Sequence, residues 1–323
     1  FGDLGARALA KALRQNSSLK RLDVSDCRLT EGAVSSFVES LALNNIVERV
    51  CLGNMEVTEE WAPTLPLTAS VCSRLEVTWN TRGLEEWAAC MPQDDRSCSH
   101  LSVAWTAETN PGGVVKWFSA ARVSCTSLTE LVISCPGTVP SECAKAFVSL
   151  LEATNSLKKL TIETVDHSYN VVTETICGLA RNKTVREAIF HQYLHTDQDV
   201  KALHRVAVHK PALHRLKFRA YNLSKKALLS LALALEDNFV FLSLDFEYSP
   251  ALKTYPLLCA LNRNQSLLNR AVECVLNSSV DDESMQALRL LSTTDSLLDA
   301  VAAVSGKPYE ECRCLVQGAE HRL

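Results

Sequence analysis

No apolar run in this chain approaches the roughly 18 to 20 residues that a bilayer-spanning helix needs, and its start lacks the apolar h-region of a secretory signal. A basic excess is missing too: 33 Lys and Arg stand against 37 Asp and Glu, for a formal charge of -4 and a pI near 6.1. Little is therefore available to hold a nucleic-acid backbone or an anionic lipid surface, and neither is expected as a partner. GxxxxGKS, GxxxxGKT, GxGxxG and GxSxG are all absent, so phosphate cradling and hydrolase-elbow chemistry have no sequence basis. What remains is an ordinary globular composition, 47% hydrophobic and 22% charged with a mean hydropathy of +0.01. At 323 residues the chain exceeds one compact domain, implying two domains or one extended architecture. It opens at Phe1 in mid-pattern without an initiator Met, so a fragment of a longer protein is expected.

Disulfide-framework spacing is absent as well. The 13 cysteines are scattered, odd in number and contain no CxxC pair. Cys27, Cys72, Cys98 and Cys274 fall where a buried apolar side chain is wanted, a role free Cys fills well. A reduced, cytoplasmic setting follows. Against it stand N-x-S/T sequons at Asn16, Asn182, Asn222, Asn264 and Asn277, three of them (Asn16, Asn182 and Asn264) at the same helix-to-strand junction.

What the chain does have is self-similarity. An apolar-x-x-apolar-x-apolar triad recurs about every 28 residues. It reads Leu19, Leu22, Val24; Val47, Val50, Leu52; Cys72, Leu75, Val77; Cys98, Leu101, Val103; and Leu128, Leu131, Ile133. It continues as Leu157, Leu160, Ile162; Val185, Ala188, Phe190; Leu213, Leu216, Phe218; and Phe239, Leu242, Leu244. Each triad is read as a strand. After each comes a turn and a segment of helical period, such as Val34, Phe37, Val38 and Leu41. Helices close at Asn16, Asn44, Asn155, Asn182 and Asn238, because Asn tolerates the conformation that ends a helix.

In these motifs, and above all in LGARALAKALRQNSSLKRLDVSDCRLTEGAVSSFVESLALN, the chain resembles leucine-rich repeats of the ribonuclease-inhibitor type over about residues 1 to 266. That resemblance implies an α/β horseshoe solenoid with a parallel concave sheet and convex helices. Spacing argues the same way: strands stack about 4.8 Å apart whereas packed helices need about 8 to 10 Å, so the stack bends with its strands inside. Residues 59 to 98, with Pro63, Pro66, Pro92, Trp61 and Trp87, predict two short or irregular helices. After Asn264 the triad fails and helical spacing takes over, so residues 1–266 are read as repeats and 267–323 as a helical C-terminal cap over the last strand's edge.

Catalytic and metal chemistry find no foothold. His191, His195, His204, His209 and His214 crowd two repeats without metal-ligand spacing, and Cys312 and Cys314 have no partner pair. Asp281, Asp282 and Glu283 read as the acidic start of a helix, and Pro111, Gly112 and Gly113 as a turn before a helix beginning near Val114. No catalytic residue, metal or cofactor is assigned.

The candidate contact residues come from strand alternation. Just before the second apolar position stand Arg21, Arg49, Arg74, His100, Glu130, Lys159, Glu187, Arg215 and Phe241, the first four a basic-leaning column. A second column reads Asp23, Cys51, Glu76, Ser102, Val132, Thr161, Ile189, Lys217 and Ser243. Arg215, Lys217 and Arg219 form a further basic cluster. Trp79 and Trp105 hold equivalent positions in successive repeats, either as rim hot spots or folded inward beside the irregular helices.

The expected function is a non-enzymatic scaffold that grips a protein partner on its concave face. The resemblance extends to the recognition arms of NOD-like receptors, an innate-immune class, and of ubiquitin-ligase adaptors. The alternative is a GTPase-activating protein similar to the Ran-activating family, from which the chain departs in its irregular repeats and in ending ECRCLVQGAEHRL rather than in an acidic tail.

Overall fold

The computed structural model describes residues 2–25, 27, 29–56, 61, 67–91, 99–135, 139–164, 169–194, 197–208, 212–220, 225–247, 255–277 and 281–322. Cys98, Pro63, Pro66, Pro92, His195, His209, Asn222 and the side chain of Arg219 lie outside them. Nine parallel strands alternate with helices in sequence order, the architecture of an α/β repeat solenoid with a helical C-terminus. The chain divides into two compact units, Phe1–Thr175 and Ile176–Leu323.

The first unit holds β1 (Arg21–Asp23), β2 (Arg49–Glu56), β3 (Leu75–Trp79), β4 (His100–Trp105), β5 (Glu130–Cys135) and β6 (Lys159–Thr164). Helices α1 (Gly2–Leu13), α2 (Glu31–Leu43), α3 (Ala69–Cys72), α4 (Thr81–Cys90), α5 (Pro111–Ser124) and α6 (Ser141–Ala153) separate them, and α7 (Tyr169–Leu179) begins here. The triads stack in register: Leu22 beside Val50, Val50 beside Leu75, then Leu101, Leu131 and Leu160 in one row and Val103, Ile133 and Ile162 in the next. From Val50 onward each row is buried against the helices, because one repeat cannot cover its own apolar stripe, and Leu22 at the first strand is half-buried.

In the proline-bearing stretch α3 has only four residues, and aromatic rings fill the volume beside it. Trp61, Trp79, Trp87 and Trp117 follow one another with centroids 6.3, 5.5 and 5.2 Å apart, and Phe118 continues the series to Trp105 and Phe147. Both Trp79 and Trp105 are therefore interior, 1% and 7% exposed, and adjacent across β3 and β4. Of the two readings of this pair the inward one holds, and neither ring offers a rim surface. The fit is tight enough that a Cβ on Gly83 would come within 2.8 Å of the Trp79 ring.

Side-chain capping explains several helix starts. Thr30, Asn80 and Asn110 each accept a backbone N–H of the first turn. The last of these starts α5 at Pro111, three residues earlier than expected, since proline at the first helical position gives up no hydrogen bond. At helix ends the buried Asn44 donates its amide to the Leu13 and Asn16 carbonyls and accepts from the N–H groups of Ile46 and Val47. One repeat is thereby tied to the previous one and the next strand is launched. In the repeat of β6 the buried residue at this position is Thr154, with Asn155 exposed beside it.

The second unit contains β7 (Glu187–Leu194), β8 (Arg215–Ala220) and β9 (Ser243–Glu247), with α8 (Asp197–Val208) and α9 (Lys225–Ala234). Leu216 pairs with Leu244 and Phe218 with Phe246, so the ninth triad is Phe241, Leu244 and Phe246. The expected triad of Phe239, Leu242 and Leu244 is thus two residues out, and Ser243, not Phe241, takes the place in the first column. The physical reason lies downstream: Phe239 and Leu242 pack on the terminal helices.

Those helices are α10 (Tyr255–Asn277), α11 (Asp282–Leu291), α12 (Asp295–Ser305) and α13 (Tyr309–Glu320). They share a core that includes Leu268, Val272, Leu288, Leu291, Leu297, Val301, Cys312 and Val316. The expected boundary after residue 266 falls inside α10, which passes it without a break. Asp281 caps α11 through the N–H of Ser284, as its acidic sequence implies. Gly306 ends α12 in the left-handed conformation.

Candidate protein-binding face

The sheet face turned away from the helices in the first unit carries a connected row of charges. Arg49 reaches diagonally to Glu76 on β3, at 2.6 Å. His100 lies between two carboxylates, Nε2 at 3.7 Å from Glu76 and Nδ1 at 3.1 Å from Glu130. Lys159 closes the row on Glu130 at 3.1 Å. The last two steps are direct cross-strand neighbours, His100 beside Glu130 and Glu130 beside Lys159. Parallel pairing in register makes the ladder, because equivalent positions of successive repeats come to lie about 4.8 Å apart.

The electrostatics follow from this contact order. Burial pushes the Glu76 carboxyl up, but hydrogen bonds from His100 and Arg49 outweigh it and hold the group below the usual carboxylate range. Glu130 is likewise raised by burial and brought below that range by Lys159 and His100. Beside the ladder the Cys51 thiol is pushed up by burial, so it is a poor nucleophile.

Of the expected contact residues, Arg21, Arg49, Glu130 and Lys159 stand on this face, with Arg21 exposed at the start of β1. Arg74 has another task. Its guanidinium donates to the carbonyls of Leu41 and Ser70, both at 2.7 Å, and of Asn44 and Val47, closing the end of α2. The basic-leaning column therefore becomes a row in which the Glu76 and Glu130 carboxylates lie between Arg49, the His100 imidazole and Lys159, with Glu76 entering from the second column. In the second unit Glu187, Arg215 and Lys217 line a groove of about 300 Å³ together with Ser243 and Gln265.

Among the described residues no group of three or more His, Cys, Asp or Glu is placed to hold a metal. His191 is exposed and His214 buried. Among the described residues no cysteine is in a disulfide. Burial pushes Cys135 up to about 12 and Cys143 up to about 11. Cys72 and Cys274 are buried as expected, while Cys27 is only partly covered. Two sequons are interior, Asn182 at 3% and Asn264 at 0% exposure, and Asn277 is exposed. Among the described residues no helix is long and apolar enough to cross a membrane.

No family model matches this chain, and no curated protein matches it. Among solved structures, the tropomodulin C-terminal domain of Caenorhabditis elegans is similar over 58% of this chain and 95% of that one, with 15% sequence identity and a TM-score of 0.32. A likeness at that level carries no functional weight, and the repeat architecture stands on the strand register described above.

Proposed function

We propose that the chain is a non-enzymatic protein-binding scaffold whose sheet face engages a protein partner. The observation that carries this reading is the ladder Arg49–Glu76–His100–Glu130–Lys159 on a strand face of the first unit. Side chains fixed by their neighbours present a set pattern of acidic and basic groups without the full ordering cost on binding, which favours selective docking. By analogy of repeat class alone, the wider role is that of a recognition arm in an innate-immune sensor or a ubiquitin-ligase adaptor.

The test compares two double charge reversals of the full chain. Arg49→Glu with Lys159→Glu alters the sheet face; Arg122→Glu with Lys145→Glu alters exposed helix positions. Partners recovered by the wild type should be lost with the first pair and kept with the second. Equal loss from both would reject the sheet face. A turnover assay with small GTPases addresses the competing assignment, and a marked acceleration of hydrolysis would replace the scaffold by a GTPase activator.

A further inference from the structure

Along the ends where the strands of the first unit begin runs a groove of about 740 Å³ that crosses from Arg21 to Lys159. Five inter-strand steps of about 4.8 Å separate β1 from β6, or roughly 24 Å. About seven residues of extended polypeptide cover that distance.

The lining is chemically uneven. Its carboxylates already have cations: Glu48 is 3.0 Å from Lys20, and Glu130 is 3.1 Å from Lys159, with the His100 imidazole also beside it. Arg49 is paired with Glu76. Arg21, exposed at the opposite end from Lys159, has no carboxylate within ion-pair distance among the described residues. One unspent positive charge therefore sits at the β1 end.

Two further atoms ask for a partner. The indole N–H of Trp87, a fully buried residue that lines the groove, has no hydrogen-bond acceptor, and the Ser124 hydroxyl on the same lining is also buried and unpartnered. Such groups are uncommon in folded proteins, and a ligand is one way to satisfy them. Trp79 and Trp117 share the unpartnered N–H but lie in the aromatic series without lining this groove.

We propose that this groove takes an extended acidic segment of the protein partner. A carboxylate of the segment sits at Arg21, and its backbone carbonyls accept hydrogen bonds from Trp87 and Ser124. A nucleic-acid strand fits poorly, because its regularly spaced phosphates would meet Glu48 and Glu130. This inference rests on the scaffold reading and names what the scaffold holds.

The experiment measures fluorescence anisotropy of labelled octaglutamate, octaglutamine and octalysine peptides with the full chain, and repeats it with inorganic phosphate as competitor. Octaglutamate should bind about tenfold tighter than octaglutamine and weaken as salt is added. Arg21→Glu, at an exposed position where folding is undisturbed, should abolish that preference, and Ser124→Ala should weaken binding several-fold. Equal binding of the acidic and neutral peptides, no effect of Arg21→Glu, or displacement by phosphate at matched concentration would each overturn the proposal. Should the peptides fail while sheet-face reversal still abolishes partner capture, the acidic segment falls and the scaffold stands.

Discussion

Arg186, just before β7, lies over the ring of Tyr309 at 5.6 Å and donates to its hydroxyl at 3.0 Å. The same guanidinium pairs with Asp295 at 3.0 Å and with Asp299. A repeat and the first turns of α12 and α13 are thus joined by a single side chain, 16% exposed, from more than a hundred positions away in sequence. Replacing it with Met removes four interactions and leaves two carboxylates facing each other. Arg186→Met should cost about 2 kcal/mol, below the figure for a fully buried pair because both aspartates are partly solvated. Urea denaturation followed by circular dichroism measures it; a loss under about 0.5 kcal/mol would show that the contact is ornamental.

Arg74 and Arg49 should separate cleanly. Arg74→Ala strips donors from carbonyls at the end of α2 and should lower stability by about 2 to 3 kcal/mol. Arg74→Lys should recover little, since an ammonium cannot reach carbonyls of three different directions at once. Arg49→Gln, at the sheet surface, should change stability by under about 1 kcal/mol while reducing partner binding. Thermal melting and binding measured on the same three variants decide the matter.

Acid should loosen the first unit through Glu76. Its carboxyl is held below the ordinary range in the folded protein, with burial overcome by His100 and Arg49. A group with a depressed folded pKa adds stability above its unfolded value of about 4.3, and loses it as pH falls through the folded value. The stability gap between wild type and Glu76→Gln, measured in urea, should be full near neutral pH and shrink steadily below about pH 4.3. A gap independent of pH would remove the carboxylate as its source.

Gly83→Ala should destabilise the aromatic series. The new methyl would lie 2.8 Å from the Trp79 ring, which is held between Trp61 and Trp87 and has no free volume to enter. The expected cost is about 1 to 3 kcal/mol, with a change in near-ultraviolet circular dichroism that Gly112→Ala does not produce.

The fold is largely legible because period and alternation are backbone properties: the described members of eight triads, from that of Leu22 to that of Leu216, fall at their expected positions. Alternation also contained the answer for Trp79, which follows Leu75 and Val77 on the inward face of β3. The ninth triad slipped because Phe239 and Leu242 are apolar for a different customer, the terminal helices, and one chain pattern cannot say which surface a side chain covers. The carbonyl contacts of Arg74 are out of reach of sequence reading for a similar reason, since its partners Leu41 and Asn44 lie 33 and 30 residues upstream and become neighbours only through stacking. The place of Glu76 in the charged row cannot be seen in either column of positions taken alone. The signal was there in opposite signs on diagonal positions of consecutive repeats.

Asn264 has a consequence beyond its own hydrogen bonds. It sits in the middle of α10, yet donates to the Asn238 and Phe241 carbonyls as a junction asparagine does. The terminator thus plugs into its predecessor with the same connector that Asn44 and Asn238 supply to theirs. Duplication or deletion of whole modules ahead of Asn238 would leave that socket unchanged, because each module meets only its neighbours.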